Sequence, residues 1–118
     1  CLGMQLMCKS SEEGNTQTLE IFDTEVKQFQ PQPNIKIPHM GWNDVTTNEK
    51  NLFKVLDKQY VYFVHSFFAP LCDETTLTCE YGEKFTAAMQ KDNFYGVQFH
   101  PEKSGEVGSR FLNQFLQL

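Results

Sequence analysis

The segment Cys1-Leu2-Gly3 follows the second half of a nucleophile elbow, a tight strand-to-helix turn that exposes a reactive side chain and uses glycine where backbones come close. A cysteine gains from that position. The partial positive charge at a helix N-terminus favours thiolate over thiol, and the backbone N–H of Leu2 can donate to an oxyanion formed on a substrate carbonyl. Far along the chain, His100-Pro101-Glu102 supplies a base and a carboxylate to orient it. Pro101 fixes its own φ and pushes His100 toward an extended conformation, so the side chains of His100 and Glu102 project to the same side. Thiol, imidazole and carboxylate together suit nucleophilic attack on a carbonyl carbon. Each motif also has a plainer reading. Any inert buried cysteine satisfies Cys-x-Gly, and a turn at a strand end satisfies His-Pro-Glu. Cys1 further admits an N-terminal nucleophile whose own α-amine is the base.

These segments must be brought together by elements that the sequence shows in part. A helix is predicted from Leu2 to Ser10, directly after Cys1, and the polar stretch from Ser10 to Thr18 with Gly14 reads as its end and a loop. Leu19 to Phe29 suggests one or two short strands, with Ile21 or Phe22, Val26 and Phe29 inward, before Pro31 and Pro33 break the pattern. Strands are predicted at Ile35 to Ile37 and Tyr60 to Val64, around a short helix in Glu49 to Lys58 that repeats at Leu52, Val55 and Leu56. Thr75 to Tyr81, Phe85 to Gln90 and Phe94 to Phe99 read as three more strands, and Gly105 to Leu118 as a helix with Val107, Phe111, Leu112 and Phe115 on one face. Helices at both ends flanking many strands indicate a single α/β or α+β domain, without internal repeats or a linker.

Composition narrows the partners. The chain has 118 residues, of which 40% are apolar, enough for one hydrophobic core and too many for a disordered segment. Its net charge of −5 and the lack of a dense Lys/Arg block give no reason to bind nucleic acid or an anionic membrane. The longest apolar stretch, Tyr60 to Val64 with Ser66 to Pro70 behind it, is interrupted by His65 and too short to span a bilayer. The opening residues lack the pattern of a secretory signal, so a cytoplasmic protein is expected. Cys1, Cys8, Cys72 and Cys79 form no CxxC pair and match no metal-ligand spacing, which favours free thiols.

Taken together, Cys1-Leu2-Gly3-Met4-Gln5 and Gln98-Phe99-His100-Pro101-Glu102-Lys103-Ser104 resemble the two signature segments of class I glutamine amidotransferases. Ile37-Pro38-His39-Met40-Gly41-Trp42-Asn43 and Tyr62-Phe63-Val64-His65-Ser66-Phe67 resemble segments of the branch that serves imidazole glycerol phosphate synthase. The resemblance implies a flavodoxin-like three-layer α/β domain, with residues 1–118 as the C-terminal portion of a single domain whose N-terminal part is absent. It implies glutamine as substrate, hydrolysed to glutamate and ammonia without a cofactor or metal. Cys1 would be the nucleophile, His100 the proton carrier and Glu102 its orienting carboxylate, with Leu2 at the oxyanion. Gln5, Glu13 and the backbone of His65, Ser66 and Phe67 would hold the substrate, Phe67 standing where relatives often carry an aromatic hydroxyl.

The same resemblance implies a (β/α)8-barrel cyclase subunit that receives the ammonia, met by Pro38, Met40, Trp42 and Lys103. On composition alone an apolar segment with a tryptophan is more often core than interface, and His39 a satisfied structural residue. Family members begin with strands and a glycine-containing loop ahead of the nucleophile, so this chain alone is expected to be poorly active. The alternative is a non-catalytic domain that only binds the cyclase.

Overall fold

The computed structural model describes residues 1–118, all of the chain. A short helix α1 (Leu2–Leu6) is followed by β1 (Ser10–Ser11), β2 (Thr16–Gln17), β3 (Glu25–Gln28) and β4 (His39–Thr46). After a 3-10 turn at Leu52–Leu56 come β5 (Tyr60–His65), β6 (Phe67–Phe68), β7 (Thr75–Tyr81), β8 (Glu83–Lys91) and β9 (Phe94–Val97). A 3-10 turn at Pro101–Lys103 then leads into helix α2 (Gly105–Leu116). The long strands make an antiparallel five-stranded sheet in the order β5-β4-β7-β8-β9, and the short ones a mixed sheet β2-β1-β3-β6 whose β1–β3 pair is parallel. This mixture of sheets with few helices is consistent with the α/β class expected, and no helix is long and apolar enough to cross a membrane.

The core is built largely from phenylalanine. Phe29, Phe53, Phe63, Phe68, Phe85, Phe99 and Phe111 pack in one cluster with Val45, Val61 and Leu77. Each such side chain removed from water contributes about 1.5–3 kcal/mol before entropic costs. Along β5 the expected alternation is plain, with Val61, Phe63 and His65 inward. β8 does not alternate, because Phe85 to Met89 lie between β7 and β9 and are covered on both faces. A smaller cluster of Met4, Cys8, Phe22, Val26, Ala69 and Met89 seats α1 on the sheets.

Three sequence expectations are corrected. The first helix ends at Leu6 rather than Ser10, because Cys8 turns into the smaller cluster and Lys9 donates to the Thr24 carbonyl at 2.9 Å, drawing the chain into β1. Ile35 to Ile37 form no strand, since the Tyr81 hydroxyl occupies both the N–H and the carbonyl of Lys36 and takes the place of a neighbouring strand. Of Leu19 to Phe29, only Glu25–Gln28 pairs in a sheet, although Phe22, Val26 and Phe29 are buried as expected. On α2, Phe111 is buried while Leu112 and Phe115 remain 40% and 43% exposed, so only part of the apolar face is covered.

Candidate active site

Cys1 caps α1, and its backbone nitrogen donates to the Val97 carbonyl at the end of β9, 2.8 Å away. Helix and strand sit so close that a Cβ on Gly96 would lie 2.7 Å from Met4 Cγ. This contact delivers the start of the chain to the segment Gln98-Phe99-His100. The thiol of Cys1 meets the Nε2 of Gln98 at 3.1 Å and the Val64 carbonyl at 4.0 Å. With only five residues, α1 adds little macrodipole, but as at any helix start its first N–H groups, that of Leu2 included, have no intrahelical acceptor.

His100 is held by β5. Its N–H donates to the Tyr62 carbonyl at 2.9 Å, while the N–H of Tyr62 donates to Ser104 Oγ at 3.0 Å, so one residue of β5 grips both ends of the turn. His100 itself is extended, as its place before proline requires. Pro101–Lys103 then closes as a 3-10 turn, and His100 Nδ1 faces Glu102 Oε2 at 3.1 Å. Burial opposes ionisation of Glu102. Hydrogen bonds from its own backbone N–H and from His100, with the nearby charges of His100 and Lys103, outweigh it and hold the carboxyl below its usual range. No hydrogen bond joins Cys1 Sγ to the His100 ring, so two sides of the expected triad have different standing: the imidazole and carboxylate are bonded, and the thiol is held by Gln98 and Val64.

The seven residues Cys1, Leu2, Gln5, Glu13, His65, Ser66 and Phe67 line a single surface cavity of about 260 Å³. A larger polar depression between Lys9 and Glu25 contains neither cysteine nor histidine. Behind the smaller cavity, the Phe67 carbonyl accepts from His65 Nδ1 at 2.7 Å and from Gln5 Nε2 at 3.0 Å, while the Ser66 carbonyl accepts from the N–H of Phe29. His65 Nε2 lies 3.0 Å from His39 Nδ1, and Asn43 Nδ2 lies 3.3 Å from His39 Nε2. Burial lowers the pKa of both histidines to about 4, the two rings reinforcing it for His39, so both are neutral at pH 7. The remaining thiols are poor nucleophiles, because burial pushes Cys8 and Cys79 up to about 12 and also raises Cys72.

Alternation along β4 decides the fate of its aromatic segment. His39 and Val45 point into the core, whereas Met40 and Trp42 stand outward, 62% and 55% exposed. Trp42 pairs across the sheet with Tyr62, and its ring edges against that tyrosine. It therefore lies over the strand that grips His100, with Lys103 exposed on the adjoining turn and Pro38 half-buried at the start of β4. Sequence reading gave no role to Gln98, Tyr62 or Gly108. The signal for Gln98 was a lone amide in an otherwise apolar strand. Tyr62 acts through its backbone, which leaves no mark on residue type. Gly108 is buried where α2 touches the Pro101 carbonyl.

No group of three or more His, Cys, Asp or Glu side chains is gathered closely enough to hold a metal ion. Similar proteins were found in several bacteria. An imidazole glycerol phosphate synthase subunit HisH from Bacteroides thetaiotaomicron is 53% identical across all of this chain and 61% of its own length. Subunits of the same name from Shewanella loihica and Yersinia pseudotuberculosis are each 48% identical, again across the whole chain and over 57% and 61% of their own lengths. The chain thus spans about three fifths of the length of these curated relatives. The family described as glutamine amidotransferase class-I matches residues 1–118, which shows that the chain belongs to that family.

Proposed function

We propose that this chain carries the nucleophile, base and substrate pocket of a glutaminase, and that the ammonia it releases is used by a cyclase subunit in making imidazole glycerol phosphate for histidine biosynthesis. The observation that carries the reading is the cavity lined by Cys1, Leu2, Gln5, Glu13, His65, Ser66 and Phe67. Each of these residues is also singled out by its chemistry or by the family resemblance. The partner follows from the relatives, which are named as subunits of the synthase. A (β/α)8-barrel cyclase seated on Met40, Trp42, Pro38 and Lys103 fits the exposed aromatic face of β4 beside the His100 turn. We read residues 1–118 as the C-terminal portion of a cytoplasmic single-domain subunit.

In this mechanism the Cys1 sulfur attacks the side-chain carbonyl carbon of glutamine, and the oxygen that becomes negative takes the N–H of Leu2. His100 accepts the thiol proton and returns it to the leaving amine, so ammonia departs and a thioester remains. His100 then takes a proton from water, the hydroxide displaces sulfur, and glutamate leaves. Glu102, ionised and bonded at Nδ1, keeps Nε2 as the working nitrogen and stabilises the imidazolium that forms twice per turnover. The unbonded Cys1–His100 side fits a free chain, since catalytic hydrogen bonds often tighten only when substrate binds. Cys1→Ala in the intact subunit is the test. It should abolish glutamate release and leave folding unchanged, with Cys72→Ala retaining most activity. Turnover by the Cys1 variant at the parental rate overturns the assignment.

A further inference from the structure

Gln98 is fully buried, and both ends of its side-chain amide are engaged. Its Oε1 lies 2.8 Å from Gln5 Nε2, and its Nε2 lies 3.1 Å from Cys1 Sγ. The neighbours dictate which end is which. The Phe67 carbonyl can only accept, so the Gln5 atom 3.0 Å from it is the NH2 group. That NH2 has a second hydrogen to place, and the Gln98 atom facing it must then be oxygen, which turns the Gln98 NH2 toward sulfur. His65 braces the same carbonyl through Nδ1 and accepts at Nε2 from His39, so the order of donors is fixed well behind the site.

We infer that Gln98 is a positioning residue for the Cys1 nucleophile, its buried amide N–H holding the sulfur at the cavity and favouring the thiolate. The inference rests on Cys1 being the nucleophile of the proposed glutaminase. A neutral thiol is a weak acceptor and a thiolate a strong one, so an N–H aimed at sulfur is worth more to the charged form. Burying an amide completely costs free energy that an apolar side chain of the same size avoids, unless both of its ends are used. Gln98 also sits two residues before His100 on the same stretch, so one segment sets both the sulfur and its base.

The test is the pH dependence of iodoacetamide alkylation, resolved to the Cys1 peptide by mass spectrometry, in the intact subunit and its Gln98→Met variant. Methionine keeps the volume and removes the donor. The alkylation midpoint should rise by about one pH unit or more, with turnover at saturating glutamine falling roughly tenfold. A folded variant with the parental midpoint overturns the inference, whatever its turnover. Should the variant not fold, the unaltered protein decides. The Gln98 side-chain NH2 resonances should shift through the Cys1 midpoint and be indifferent to pH there in Cys1→Ala, and resonances that do not move in the parent overturn the inference. Neither the alkylation midpoint nor the resonances depend on glutamine, so a shifted midpoint in a protein without glutaminase activity refutes the proposed reaction and leaves the role of Gln98 standing.

Discussion

Replacing Gly108 by alanine tests how the His100 turn is held. A Cβ built on Gly108 lies 1.9 Å from the Pro101 carbonyl oxygen, 2.9 Å from its carbon and 3.0 Å from Ser104 Cβ. Separations under 3.0 Å essentially never occur for real Cβ atoms, so α2 and the Pro101 peptide must part by about 1 Å or more. The obstacle is backbone and cannot rotate aside. Overpacking of this kind costs about 1–3 kcal/mol, against which alanine returns up to about 1 kcal/mol of helix propensity. The net loss should be about 1–2 kcal/mol, lowering the melting midpoint by several degrees. Function should suffer more than stability. Pro101 follows His100 directly, and Ser104 carries both the Tyr62 strap and a hydrogen bond to the His100 carbonyl, so movement here shifts the imidazole and its bond to Glu102. Misplacing a catalytic group by 1 Å commonly costs about a hundredfold in rate. Thermal unfolding and glutamate release at saturating glutamine, on the intact subunit with exposed Ser109→Ala as control, measure the two effects. A Gly108→Ala protein that melts and turns over like the parent refutes the reasoning.

His100→Asn should reduce turnover far more than Glu102→Gln, since the first removes the proton carrier and the second only loosens its orientation; equal and negligible losses would move the base elsewhere, for instance to the α-amine of Cys1. His39 and His65 have folded pKa values of about 4 against an ordinary 6.5, so the unfolded chain binds more protons between those values. Their contribution is complete above pH 6.5 and is lost as pH falls toward 4, at a rate approaching about 1.4 kcal/mol per histidine per pH unit within that window. Urea midpoints at pH 7 and pH 5 should therefore differ clearly, and a flat profile would show that the pair is accessible to protons in the folded state. Trp42→Ala should leave the melting temperature and basal glutamate release nearly unchanged, because the ring is 55% exposed, while weakening stimulation in a titration with the cyclase subunit. Superimposable titration curves would remove Trp42 from that interface.

What the sequence determined by itself was the candidate chemical groups and most of the long elements. Cys1, His100 and Glu102 stand in motifs where residue type and spacing carry the information, whereas five of the seven cavity residues, Gln5, Glu13, His65, Ser66 and Phe67, follow only from the family resemblance. β5, β7 and β8 were readable because β-branched and aromatic residues cluster there between turn signals, and Gly82 at φ +74° marks the β7–β8 hairpin. Local pattern failed wherever a distant group supplied the decisive bond. Nothing in Ile35 to Ile37 announces that a tyrosine hydroxyl 45 residues away will satisfy Lys36, and nothing in Met7 to Ser10 announces that Thr24 will end the helix early. Tertiary structure also decided which way β4 faces. A strand slipped by one residue would bury Trp42 and expose His39, and only pairing of His39 with His65 and Trp42 with Tyr62 fixes the aromatic ring outside and the imidazole inside. The same holds for Gln98. Its type was visible, but its role depends on an amide orientation set by Phe67, Gln5 and two buried histidines, groups that lie far apart in the chain and meet only when the sheets and α1 close around them.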